Sequence, residues 1–158
     1  MTTLQPIGAA VFERLTALHA GLESALEGLP PEALDWTPGP GFNSLAVLIT
    51  HATGAERYWI GDVAAGHASG RVREAEFQVQ ALSADALRAR LAETLAFCGS
   101  TLAELGDGRL AEKRTSPRDG RTFSVAWCLA HALEHTALHT GHAQLLRQLW
   151  EQRQPGPP

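Results

Sequence analysis

Apolar residues recur at steps of three and four in four separate stretches of this chain, and each stretch predicts an amphipathic helix of about 20 residues. The first runs from about Gln5 to Glu27, with Ile7, Val11, Leu15, Leu18, Leu22 and Leu26 on one stripe. The second runs from about Leu45 to Ala65, with Leu45, Leu48, Ile49, Ala52, Ala55, Trp59 and Val63 inward. The third begins at Ser83-Ala-Asp and ends near Leu105, carrying Leu87, Leu91, Leu95, Cys98 and Leu102 on one face. The fourth begins at Ser124 and ends near Gln152. Asn43-Ser44, Ser83 and Ser124 offer the hydroxyl or amide oxygen that caps a helix start.

The segments between these stripes break the period. Leu29-Pro-Pro opens a connection in which the prolines and glycines after Leu34 forbid a regular helix. Residues 66–82 and 107–122 are two further long connections, the second holding the turn chemistry of Gly106-Asp-Gly and Thr115-Ser-Pro-Arg-Asp-Gly. No strand pattern competes. The expected class is all-α, a four-helix bundle. It forms one domain over residues 1–153, with residues 154–158 as a frayed tail. Connections this long are unusual in a plain up-down-up-down bundle, and one of them can carry the chain back along the bundle's length.

Composition narrows the classes of partner. Apolar residues make up 44% and charged residues 19% of 158, an ordinary globular balance. Net charge is −4, and Lys113 is the single lysine, which argues against a nucleic-acid surface and against a basic membrane-surface helix. No apolar run approaches the length of a membrane span. The start, Met1-Thr-Thr-Leu-Gln-Pro, lacks a basic region followed by an apolar core, so no secretion leader is expected. Cys98 and Cys128 stand apart without CxxC pairing and read as reduced core thiols of a cytoplasmic protein. Arginine in place of lysine, with much alanine and glycine, suggests a GC-rich bacterial genome.

The chemistry concentrates in the fourth helix. His131-Ala-Leu-Glu-His135-Thr-Ala-Leu-His139-Thr-Gly-His142 places four of the chain's seven histidines within twelve residues. On a helix all four fall inside an arc of roughly 80°. Imidazoles crowded on one face suit a metal ion, because His at i and i+4 supplies two ligands that stack one above the other. Two pairs are open, 131/135 and 135/139, with His142 as an extra, and periodicity does not separate them. A third ligand must come from another helix. His51, on the inward side of the second helix, is the best partner. His19, one step off the apolar stripe of the first helix, is expected to be polar or peripheral. His67 lies in a glycine-rich break and is expected to be solvated.

Spacing excludes two familiar metal sites. The zinc-protease motif needs Glu directly after its first His, and Thr136 stands there. Di-iron bundles need Glu-x-x-His on two helices, and neither Glu56 nor Glu134 has a His three residues later. One metal is therefore expected, not two. Haem between facing histidines would need a larger apolar cavity, and no feature of the sequence demands one.

These residues carry a family resemblance. Asn43-Ser44-Leu45, followed by His51 and then Glu56-Arg57-Tyr58-Trp59, is similar to the second helix of the DinB/YfiT-like superfamily of metalloenzymes. The stretch from Leu129 to Arg147, with His135-x-x-x-His139 followed by Gly141, is similar to that superfamily's last helix, and Trp36-Thr-Pro-Gly-Pro-Gly resembles its loop. The resemblance implies an up-down-down-up bundle with His51, His135 and His139 as ligands of one divalent ion, Zn or Ni. His142 departs from the pattern, standing where the family commonly has Gln, and His131 is an added imidazole one turn before the pair. Each is a candidate fourth ligand, neighbour of the ligands or proton carrier.

Members of the superfamily include transferases and isomerases that use a low-molecular-weight thiol such as bacillithiol or mycothiol. The resemblance thus implies a metal-dependent S-transferase joining a small thiol to a small-molecule electrophile, the latter held near Trp59 or Phe42. A metal-dependent hydrolase, or a non-catalytic metal- or ligand-binding stress-response bundle, are the alternative classes. Glu56 and Glu134 are candidates to orient a ligand imidazole. Affinity for metal is expected to fall below about pH 6.5, because only neutral imidazole binds. Relatives often pair through helix faces, which implies a homodimer, with Trp150 near an exposed helix end as a contact.

Overall fold

Serine hydroxyls start the long helices where the sequence places them. In the computed structural model, which describes residues 4–153, the Ser44 Oγ accepts from the Val47 N–H at 3.3 Å and opens α3, Leu45–Glu56. The Ser83 Oγ does the same for Ala86 at the start of α5, Ala84–Leu105. The Ser124 Oγ accepts from Trp127 at the start of α6, Val125–Arg153. The two remaining helices of the N-terminal third begin with proline, whose missing N–H costs nothing in a first turn: α1, Pro6–Leu26, and the single-turn α2, Pro31–Asp35. The tail at 154–158 lies outside the described residues.

Beyond Glu56 the second long helix continues with wide, π-type turns over Arg57–Ala65. It ends at Gly66, whose φ of +82° puts it in the left-handed conformation that closes a helix. Gly61 lies against α5, where an added Cβ would meet the Phe97 ring at 2.6 Å.

Contacts along the helices fix their directions. The start of α1 meets the end of α5, where Asp107 accepts from the N–H groups of Ile7 and Gly8. The end of α1 meets the second half of α6, where the Arg147 Nη1 reaches the carbonyls of Ser24 and Glu27. In α3 and its extension, His51 faces His139 while Trp59 faces Trp127, so this helix runs against α6. The Glu56 carboxylate lies by Cys98, and His67 by Glu104, so it runs with α5. The order is up-down-down-up, and the connection through residues 66–82 carries the chain back along the bundle. That connection holds a further short helix, α4, Arg73–Glu76. The later one holds a three-residue hairpin, β1 Lys113–Thr115 against β2 Thr122–Ser124, with Arg114 opposite Phe123. Strand is confined to that hairpin among the described residues, and the all-α expectation stands.

The core has two apolar halves. Val11, Leu15, Trp59, Ile60, Leu102 and Leu129 belong to one; Leu22, Leu26, Ile49, Leu87, Leu91 and Leu146 belong to the other. Between them every long helix contributes buried polar side chains: His19 from α1, Thr53 and Glu56 from α3, Thr94 from α5, and Thr136 and Thr140 from α6. Two sequence expectations fail here. His19 is not peripheral; it is 3% exposed, and its Nε2 lies 2.9 Å from a Glu56 oxygen. Trp150 is not an exposed contact; it is buried edge-on to Trp36, with Arg153 stacked 3.6 Å over its ring, so it offers no surface for a second copy. Cys98 and Cys128 are free and buried, as expected. Burial first, then the Glu56 charge, pushes the Cys98 thiol far up, and burial raises Cys128 to about 11, so neither is a ready nucleophile. No helix among the described residues is long and apolar enough to cross a membrane.

Candidate metal centre

Three histidines from two helices converge at the polar layer. His51 of α3 and His135 and His139 of α6 each offer a ring nitrogen, and these atoms lie within 4.8 Å of one another. His135 and His139 are i, i+4 neighbours, and their Nε2 atoms are 3.2 Å apart. The His51 ring stands edge-on to both, with centroids 4.9 Å from His135 and 5.1 Å from His139.

The connection that folds back along the bundle supplies the partner of His51. Its α4 ends on Glu76, whose Oε2 lies 2.7 Å from the His51 Nδ1. Arg71 holds the same carboxylate in two places, Nε to Oε1 at 2.6 Å and Nη2 to Oε2 at 2.8 Å. Burial works to raise the Glu76 pKa, but the bonds from Arg71 and His51 and their charges outweigh it, and the carboxyl sits below its ordinary value. A carboxylate on Nδ1 places a hydrogen there and leaves Nε2 as the free lone pair, the usual arrangement behind a metal-ligating histidine. Phe77 closes over the other side of the His51 ring at 4.7 Å.

Electrostatics keep the pair on α6 neutral. Burial first, then the neighbouring His139, His51 and His131 rings, depress His135 to about 3. Burial, then His51 and His142, depress His139 to about 4. Both rings therefore keep their lone pairs well below pH 6.5, lower than the sequence alone suggests. The Nδ1 atoms of His135 and His139 are buried without a hydrogen-bond partner.

This donor set fits a divalent ion. Two nitrogens bonded to one such ion at about 2.0–2.1 Å lie about 2.9 Å apart at a right angle and about 3.4 Å apart at the tetrahedral angle. The 3.2 Å between the two Nε2 atoms falls between those limits. Two neutral imidazole nitrogens at this distance share one hydrogen at most, whereas an ion accepts a lone pair from each.

The other candidates fall outside the cluster. His131 stacks on Trp127 at 4.8 Å and stands edge-on to Trp59, with its centroid 6.0 Å from that of His135. Its Nδ1 is 3.6 Å from exposed Glu134, which does not orient a ligand. His142 is exposed and 5.6 Å from His139, centroid to centroid. Glu56 is fully buried, but it accepts from the Thr136 Oγ1 and bonds His19 rather than orienting any of the three histidines. His67 is half-exposed rather than fully solvated, with its ring edge-on to Phe97 at 6.1 Å and its Nε2 3.3 Å from Glu104, well away from the three histidines. Trp59 is buried among Phe123, Trp127 and His131, away from any mouth. Phe42 is exposed and lines a cavity of about 260 Å3 with Leu48, His142, Leu145 and Leu149.

Glu76 and Arg71 were missed by sequence reasoning. A four-residue helix is too short to show a period. A signal did exist, since a ligand histidine calls for an acceptor on its second nitrogen, and Glu74 and Glu76 are the only carboxylates in residues 66–82.

A family model for the DinB superfamily matches residues 14–143, and the chain belongs to that superfamily. The fold is similar to the crystal structure of a conserved protein from Enterococcus faecalis, with a TM-score of 0.78 and 16% identity over 94% of this chain and 99% of that one. No curated protein is significantly similar to the chain. Superfamily membership and the three-histidine group together fit a metal-binding protein.

Proposed function

We propose that the chain binds one divalent ion, Zn or Ni, through His51, His135 and His139, and is a metal-dependent transferase that joins a small thiol to an electrophilic small molecule. The observation that carries the metal reading is the convergence of three imidazole nitrogens, with His135 and His139 kept neutral by burial and the His51 ring oriented by the Glu76 carboxylate. Three neutral ligands leave the charge of a divalent ion uncompensated and its remaining positions open. The chemistry the ion would supply there is the lowering of a thiol's pKa, so that thiolate, the competent nucleophile, is present at neutral pH.

The chain's own residues account for the rest. Glu76 and Arg71 fix the orientation of the His51 ring beside the His135/His139 pair. The cavity behind Phe42 takes the apolar body of the electrophile, and His142 joins that cavity to the His139 side of the site. In this reading His142, 5.6 Å from His139, and His131, 6.0 Å from His135, carry away the proton that the thiol loses. Trp59 and Trp127 pack against the His131 ring and hold its orientation.

The test is a conjugation assay with bacillithiol, mycothiol and glutathione against monochlorobimane. Metal-loaded protein is expected to accelerate at least one reaction, and chelated protein or the His135→Ala variant is not. Equal rates with and without metal for all three thiols would remove the transferase reading.

A further inference from the structure

A second cavity, of about 440 Å3, opens where the extension of α3, the start of the 66–73 segment and the hairpin turn meet. Its size falls in the range of about 300–1,000 Å3 typical of small-molecule sites. Tyr58, Asp62, Arg71, Arg73, Pro117 and Arg118 are on its wall. We propose that this cavity binds a small anionic molecule, recognised through a carboxylate or phosphate group by Arg73 and Arg118 beside Tyr58.

The arrangement of charge carries the proposal. Three arginines line one small cavity in a protein whose net charge is −4. The one carboxylate on the wall is already engaged, because Asp62 accepts from the Ser69 N–H at 2.8 Å and the Ser69 Oγ at 2.7 Å. Arg71 has a full partner in Glu76 through Nε and Nη2, and its Nη1 takes no part in that pair. The other two arginines are poorly matched. Arg73 lies over the Phe77 ring at 5.0 Å, and Arg118 approaches Asp119 no closer than 4.0 Å.

The guanidinium groups of Arg71 and Arg118 each lie 5.6 Å from the centroid of the Tyr58 ring. That ring is fixed from below, since its hydroxyl is 2.7 Å from the buried Ser116 Oγ. Stacking on an aromatic face orients a planar guanidinium and leaves its N–H edges free for a bidentate partner. Arg118, with no carboxylate closer than 4.0 Å, keeps its charge beside this rigid ring for an anion to pair with. The cavity and the histidine site share Arg71 and, through it, Glu76, but the proposal does not depend on a metal.

Isothermal titration of the protein with inorganic phosphate, and separately with malate, tests it in metal-free buffer at low ionic strength. The Arg73→Ala/Arg118→Ala variant removes two exposed side chains and leaves Arg71 in its buried pair, so the fold is kept. The Arg14→Ala/Arg88→Ala variant removes the same charge elsewhere on the surface. Saturable binding of at least one probe is expected, weakened about tenfold or more in the first variant and unchanged in the second. Phosphate alone binding would assign a phosphorylated ligand, and malate alone a carboxylate. The proposal is overturned if neither probe saturates, or if the two variants bind alike, which would mark an adventitious ion only. Because no metal is present, either outcome leaves the three-histidine reading to its own test.

Discussion

Replacing Gly54 with alanine should damage the metal site without touching a ligand. Gly54 lies on α3 directly beneath the Glu76 carboxylate. A Cβ there would stand 2.1 Å from Oε1 and 2.8 Å from Cδ of Glu76, and 3.3 Å from the Arg71 Nε. Ordinary contact begins at 3.4 Å, so the carboxylate must retreat by more than an ångström. Glu76 ends in a flexible side chain and can move, but the 2.7 Å bond to His51 and the paired bonds to Arg71 cannot survive such a shift together. Overpacking a buried site costs about 1–3 kcal/mol. Alanine in place of helical glycine returns about 1 kcal/mol. The net loss of stability is therefore at most about 2 kcal/mol, and the variant should fold. Loss of the carboxylate behind a ligand histidine typically lowers metal affinity about 10–100-fold. Competition against a chromogenic chelator, with zinc and then nickel, reads that loss directly, and a thermal melt reads the stability. Wild-type affinity in Gly54→Ala would refute the claim that Glu76 positions His51 for a metal.

Three other outcomes follow from the same geometry. Glu56→Ala leaves the His19 Nε2 and the Thr136 hydroxyl without their partner in a fully buried layer; it should cost about 3–5 kcal/mol and lower the melting temperature by roughly 10 °C, and a fall of only a degree or two would contradict that role. Gly141→Ala adds a Cβ that meets nothing within 4 Å in the middle of α6, so the melting temperature should rise, by about 1 kcal/mol of stability; destabilisation would show a constraint the packing does not contain. His135 and His139 lie at about 3 and 4 in the fold against about 6.5 in the unfolded chain, so the unfolded chain binds more protons below pH 6.5, and the stability present at neutral pH is lost as pH falls through that window toward 4. Melts of metal-free protein from pH 7 to 5 should show this loss, reduced in the His135→Ala/His139→Ala variant, and a profile identical in both proteins would contradict the depressed values.

The long helices were legible because each carries its own period and its own cap: Ser44, Ser83 and Ser124 open helices where their hydroxyls stand. The clustering of His135 and His139 with His51 was legible partly from the i, i+4 spacing and partly from family resemblance, since periodicity left the 131/135 pair equally open. What stayed hidden depends on contacts between distant segments. His19 sits one step off an apolar stripe, and only the presence of Glu56 from another helix makes its burial tolerable. Trp150 is covered by Trp36, from a proline-rich stretch whose path the sequence does not define. Glu76 and Arg71 belong to a connection whose single helical turn is too short for a pattern, yet that turn holds a histidine of the site.

The account's central claim is that one metal ion sits among His51, His135 and His139. The most direct measurement is elemental analysis of protein prepared without a histidine tag, incubated with a stoichiometric excess of zinc or nickel and then desalted, compared with the His51→Ala/His135→Ala/His139→Ala variant. The account predicts one equivalent per chain in the wild-type protein and close to none in a folded triple variant. Equal metal content in the two proteins would contradict it.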